Sequence, residues 1–384
     1  MEISQLIMLP GPTNVPPRVM RAMLKPIINH RDVEFRNMYQ RIIENSKYVF
    51  QTKNDLHVLS ASGTGGVECA IANVVGNNEK IIVPVNGVFS QRVKETVESF
   101  GGNPIEIPVE WGSAVTVEQI EETIRKERDV SAVAIVYNET STGVTTRVLE
   151  AIGRLCEEKD ILFIVDAISI LGGDYLPVDD WNVDICIAGS QKCLMCPPGL
   201  ALISVSEKAW SIIEKTTKKK YYFDLKKYRE FQEKFETPYT PVLPLFYALD
   251  EALQMIKEEG LEARFKRHRI CAQAFYEGIK ALGLKLFAEE SCRSNVVIAI
   301  NNPDKLSDKN VREIMKEKYG IAIAGGMGKL KGTMFRVGVM GAVSRSEILL
   351  TLSALELTLA ELGYKLRLGD GTLIAKEVFE KEGL

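Results

Sequence analysis

Ile161-Leu162-Phe163-Ile164-Val165-Asp166-Ala167 is an unbroken apolar run closed by a carboxylate. Apolar residues at consecutive positions, with no polar alternation, describe a strand buried on both faces, as in a parallel sheet covered by helices. The same pattern recurs on either side. Short β-branched runs at 56–60, 80–85, 104–108, 132–137, 184–188 and 200–205 alternate with helical periodicity at 67–75, 91–100, 117–126 and 149–159. Strand–helix alternation of this kind predicts an α/β unit with a mostly parallel sheet. Ligands of such sheets sit at the carboxyl ends of the strands, so the residues just after each run carry the most weight.

Beyond residue 206 the pattern changes. Residues 207–235 are polar and basic and read as a solvated surface segment. Thr237-Pro238-Tyr239-Thr240-Pro241 reads as extended loop, because each proline moves its predecessor out of the helical region. A long amphipathic stretch, 245–282, leads into a smaller α+β unit: strand 295–300, helix 308–317, strand 333–338, helix 345–362. The division expected is a large domain, 1–260, and a small C-terminal domain, 261–384, whose tail from 363 gives no strong signal.

The chain has 384 residues, 46% hydrophobic, with 48 Lys and Arg against 51 Asp and Glu, a net charge of −3. No basic excess is present to neutralise a phosphate backbone, which argues against nucleic acid. No apolar run is long enough to cross a bilayer, and Met1–Pro10 lacks a leader pattern, so a cytoplasmic location is expected. Seven cysteines read as free thiols in a reducing compartment. Cys193 and Cys196 form the one close pair, which lacks a second pair for a zinc site; two small buried hydrophobes is the preferred account. Three histidines leave little for metal chemistry, and no metal site is expected.

Three features carry chemistry. Asp166 ends one buried strand, and Gly189-Ser190-Gln191-Lys192 follows the next, which sets an acid and a lysine on one rim of the sheet. A buried ion pair is the plain account. The sharper one is a pyridoxal phosphate site, with Lys192 as the Schiff-base lysine and Asp166 on the pyridinium nitrogen. Ser62-Gly63-Thr64-Gly65-Gly66 joins the first strand to a helix expected near Val67, a turn suited to one phosphate. It matches neither the dinucleotide fingerprint nor the P-loop.

Leu9-Pro10-Gly11-Pro12-Thr13-Asn14-Val15-Pro16, His30-Arg31-Asp32, Ser62-Gly63-Thr64-Gly65-Gly66, Asn86-Gly87-Val88-Phe89, Glu139-Thr140-Ser141-Thr142-Gly143, Val165-Asp166-Ala167, Gly189-Ser190-Gln191-Lys192 and Phe335-Arg336-Val337-Gly338 occur in that order. The ordered set resembles the class V pyridoxal-phosphate aminotransferases, in particular the alanine–glyoxylate and serine–pyruvate group. The resemblance implies a fold type I enzyme, a large domain with a mostly parallel sheet plus a smaller α+β domain. It also implies a homodimer with the active site at the subunit interface. Ser62, Gly63, Thr64 and Gln191 would bind the cofactor phosphate, with Thr240 donated by the partner subunit. Phe89, where relatives often have tryptophan, would stack on the ring, and Ile168 would pack on its face. Thr140 would meet the phenolic oxygen and the substrate. Arg336 would clamp the substrate carboxylate, and Gly11 would belong to the substrate loop. The role of Thr237 stays open.

The expected reaction moves the amino group of serine or alanine to glyoxylate or pyruvate. Cysteine desulfurase or aminoethylphosphonate transaminase chemistry on the same scaffold is the alternative; the first would need a nucleophile such as Cys292. A non-enzymatic α/β binding or assembly protein is the third possibility.

Overall fold

The computed structural model describes residues 5–303 and 306–384. Its centre is a seven-stranded sheet of β1 (Asp55–Leu59), β2 (Lys80–Val85), β3 (Asn103–Pro108), β4 (Val130–Val136), β5 (Leu162–Asp166), β6 (Ile185–Gly189) and β7 (Ala201–Val205). The spatial order is β1-β7-β6-β5-β4-β2-β3. All neighbours are parallel except β7, which runs antiparallel to both β1 and β6. Every predicted strand is present, with ends shifted by a residue or two. In β5 and β6 all residues but Asp166 are buried, as an apolar run covered on both faces requires. The parallel register places Val136 beside Asp166, and Asp166 beside Ile187. The carboxyl ends of β1, β2, β4, β5 and β6 therefore share one rim.

Two helices start at that rim. Gly63–Val74 begins four residues earlier than the sequence periodicity predicts. Ser62 caps it, its hydroxyl accepting from the Gly65 N–H at 3.3 Å, so the glycine-rich turn is itself the first helical turn. Val88–Ser99 follows β2.

The amphipathic stretch after residue 242 is two helices, Leu243–Glu259 and Leu261–Ala281, broken at Gly260, whose φ of 80° suits glycine. Beyond them Val297–Asn301, Met334–Gly338 and Ala324–Gly325 form a three-stranded antiparallel sheet with Met334–Gly338 central. Its apolar side shares a core with Leu261–Ala281 and Arg345–Glu361. Three features depart from the sequence expectation. The supposed surface segment contains capped helices Glu207–Ile213 and Leu225–Gln232. The tail forms helix Asp370–Glu382 against Leu261–Ala281. Leu6–Ile7 pairs in parallel with Ile321–Ala322, so the N-terminal segment is anchored beside the C-terminal sheet before it enters the rim. Among the described residues no helix is long and apolar enough to cross a membrane.

Candidate active site

A cavity of about 160 Å³ opens at the carboxyl rim. Ser62, Gly63, Thr64, Phe89, Thr140, Asp166, Ile168, Gln191 and Lys192, nine positions singled out in the sequence, all line it. The sheet register explains the convergence: each residue lies within a few positions of a strand end on the same edge.

Lys192 is 9% exposed, and its Nζ donates to the Pro10 carbonyl. Burial lowers its pKa to about 8; Cys193 opposes this, the nearby Arg336 charge adds to it, and Asp166 opposes it more weakly. Its peptide is held from two sides. Thr13 Oγ1 donates to the Lys192 carbonyl at 3.2 Å, and the fully buried Arg264 donates to the Cys193 carbonyl. Asp166 Oδ1 accepts from the Ile168 N–H at 2.9 Å. Burial raises the Asp166 pKa to about 7, although that hydrogen bond and the charges of Lys192 and Arg92 favour ionisation.

Arg336 is 5% exposed at the centre of the three-stranded sheet. It donates to the Gly325 carbonyl through Nε (2.9 Å) and Nη2 (2.8 Å), and to the Thr140 carbonyl through Nη1 at 2.8 Å. Burial lowers its pKa to about 10, with the Glu139 charge opposing. Arg336 thus touches the backbone of a cavity residue without lining the cavity itself. Gly11 has a φ of 102°, and a Cβ there would fall 2.6 Å from Lys192 Nζ. Its lack of a side chain makes room for the lysine.

Thr240 is exposed and lies outside this cavity. Thr237 is buried, its hydroxyl donating to the Tyr239 carbonyl at 2.7 Å. Arg31 anchors this segment through Glu236 and the Thr237 carbonyl, both at 2.8 Å. That contact gives the His30-Arg31-Asp32 motif a structural purpose. All seven thiols are free and buried, and burial raises Cys193 to about 12. Cys292 donates to the Gly112 carbonyl at 3.4 Å, a poor posture for a mobile nucleophile. His268 is wholly buried between the Arg264 carbonyl and the Gly341 N–H.

Arg92, Asn138 and Ser169 also line the cavity and were not expected there. Arg92 follows Phe89 by three positions on a helix that begins at the rim, but as a lone arginine it gave no chemical signal in the sequence.

The sequence matches the family description "Aminotransferase class-V" over residues 8–351. The chain belongs to the class V aminotransferases. It is 44% identical to an uncharacterized aminotransferase of Methanocaldococcus jannaschii, over 99% of each chain. It is 33% identical to a serine–glyoxylate aminotransferase of Methylorubrum extorquens, covering 98% of this chain and 96% of that one. The crystal structure of ureidoglycine–glyoxylate aminotransferase from Bacillus subtilis superposes with a TM-score of 0.93 at 34% identity, over 99% of both chains. The fold is that of fold type I transferases, and the alternative of a non-catalytic assembly protein is set aside.

The cofactor of a class V aminotransferase is pyridoxal phosphate, and the cavity suits it. Gln191 Oε1 is buried without a hydrogen-bond partner among the described residues, a polar atom suited to a ligand. A Cβ at Gly63 would meet Ile168 Cδ1 at 2.8 Å, so the glycine keeps the turn close to the cavity wall. A hydroxyl-bearing helix start, a half-buried carboxylate and a buried amine match the phosphate, ring nitrogen and aldehyde of that group in kind.

Proposed function

We propose that this aminotransferase takes the amino group of a small L-amino acid, serine or alanine, and passes it to glyoxylate or pyruvate in a ping-pong cycle. The observation that carries the assignment is the convergence of Lys192, Asp166 and the Ser62–Thr64 helix start in one cavity, with Arg336 one hydrogen bond away through Thr140. The glyoxylate in the names of the Methylorubrum and Bacillus proteins supports the acceptor.

Ser62, Gly63, Thr64 and Gln191 would hold the cofactor phosphate, Asp166 its ring nitrogen, and Thr140 its phenolic oxygen. Phe89 and Ile168 would flank the ring. When bound, pyridoxal phosphate supplies an aldehyde that takes up the amine and a ring that accepts the electron pair left at Cα. Lys192 has two tasks. Its Nζ, held near a pKa of about 8, is in part unprotonated near neutrality and would be the amine that holds the aldehyde. The same atom would also take and hold the proton of the substrate Cα. Asp166 at about 7 gains from a cation placed against it, which pulls the carboxylate back to its ionised form. Arg336 would turn from its backbone carbonyls to the substrate carboxylate, fixing the plane of the amino acid. Gly11 leaves Lys192 free to move between these tasks.

The enzyme would act as a homodimer. Thr240 is exposed and outside its own cavity, as expected of a hydroxyl offered to the partner's phosphate.

Lys192→Ala is expected to abolish transamination and the visible absorption of the bound cofactor. An unchanged spectrum and rate would overturn the assignment. Mixing the yellow enzyme with single amino acids and following loss of the visible band would establish the donors. Sulfide release from cysteine would point instead to desulfurase chemistry.

A further inference from the structure

Among the described residues two cationic side chains line the cavity, Lys192 and Arg92. In the function proposed above, on which this inference rests, Lys192 is committed to the aldehyde. Arg92 has no such engagement: among the described residues, no carboxylate lies within ion-pair distance of its guanidinium. It leaves helix Val88–Ser99 one turn after Phe89, and its guanidinium carbon stands 5.0 Å from the Phe89 ring centroid. Stacking of this kind uses the face of a guanidinium and leaves the donors at its edge free. One edge donor, Nη1, points to Thr64 Oγ1 at 3.4 Å, a long contact. Thr64 stands in the first turn of the other rim helix, Gly63–Val74.

A phosphate monoester near neutrality carries about −1.5 to −2 charges. The helix start that faces it contributes only about half a positive charge, and the hydroxyls of Ser62 and Thr64 contribute none. We infer that Arg92 binds the phosphate of pyridoxal phosphate and is this chain's own full positive charge on that group. The stack on Phe89 holds the guanidinium edge toward the phosphate turn, so one helix supplies both the ring wall and the counter-charge. The edge that reaches Thr64 is free to engage the phosphate oxygens in a fork, which a point charge would not do.

The test compares two ligands on the cofactor-free protein: pyridoxal phosphate, and pyridoxal, which has the aldehyde and ring but no phosphate. Uptake is read by the visible band and by quenching of protein fluorescence, without any turnover. Arg92→Gln is expected to weaken pyridoxal phosphate by about ten- to a hundredfold, the loss of one charge-assisted contact. Pyridoxal should be affected less than twofold, by the same estimate with no phosphate to lose. Arg92→Lys keeps the charge without the fork and should recover part of the loss. Equal weakening of both ligands would overturn the inference, because Arg92 would then act only by packing Phe89. Unchanged binding of pyridoxal phosphate in Arg92→Gln would overturn it as well. A wild-type protein that takes up neither ligand would overturn the proposed function beneath it, a failure recognisable because the unmodified chain is then inert.

Discussion

Asp166 shows how one side chain can weigh on both chemistry and stability. Its pKa of about 7 in the folded protein lies above the 3.8 of a solvated aspartate. Between those values the folded chain holds a proton that the unfolded chain has released. The stability of the cofactor-free protein therefore falls as pH rises from about 4 to about 7. The upper limit of that loss is about 4 kcal/mol, less to the extent that solvent reaches the carboxylate through the cavity. Asp166→Asn should flatten this part of the profile and raise the melting temperature of the cofactor-free protein at neutral pH, while transamination is lost; denaturation scans across pH would show it. Gly11→Ala makes the opposite kind of change. A Cβ there meets the Lys192 chain at a φ that L residues rarely adopt. Cofactor uptake should fall by an order of magnitude or more, since the strain exceeds about 1 kcal/mol and the lysine must be displaced. Uptake at the wild-type level would show that the lysine has another way past. Asp166 and Lys192 were legible because each follows an apolar run. Arg92 was not, because a lone arginine on an exposed-looking helix gives no chemical signal until its neighbours are known.

At the scale of the element, Glu139 holds helix Val88–Ser99 in place. It is fully buried, and its carboxylate accepts from Phe89 N–H (3.3 Å), Ser90 N–H (2.8 Å), Ser90 Oγ (3.0 Å), Ser141 N–H (3.1 Å) and Ser141 Oγ (2.5 Å). The helix start is thus closed by the chain's own charge. Gly87 leaves room for it, since a Cβ there would collide with Glu139 and Ser141. Glu139→Gln turns an amide donor against N–H groups that need an acceptor, at a cost of about 3 kcal/mol. A fall in melting temperature of several degrees is expected, and no fall would mean that water caps the helix instead. Elements were legible where apolar pattern and length agreed, as in β4, β5 and β6. Helix Asp370–Glu382 escaped because its buried face is Gly371, Ala375 and Phe379, a helical spacing carried mostly by residues too small to mark a hydrophobic stripe. Leu6–Ile7 escaped for another reason. A two-residue strand is defined by its distant partner, Ile321–Ala322, and nothing local announces that pairing. The antiparallel run of β7 is likewise invisible in its composition.

At the scale of the whole molecule, large apolar side chains stand exposed in groups. Leu24, Ile27 and Val33 are 82%, 68% and 63% exposed within ten residues of one another. Tyr221 is 73% exposed beside Tyr239, next to Thr240 in sequence. Single exposed apolar residues are ordinary, but groups of large ones are typical of surfaces that a partner covers. The homodimer proposed above would supply that partner and would bring Thr240 a phosphate that its own cavity does not offer. In that proposal dimerisation and cofactor binding would be linked by mass action, because only the dimer would present a complete phosphate site. Ile27→Glu combined with Leu24→Glu should shift sedimentation to the monomer. Pyridoxal phosphate affinity should fall with it, and wild-type affinity should itself weaken on dilution. Thr240→Ala should weaken the cofactor without moving the sedimentation profile. A double-glutamate monomer that binds the cofactor as tightly as wild type would mean that each subunit completes its own site.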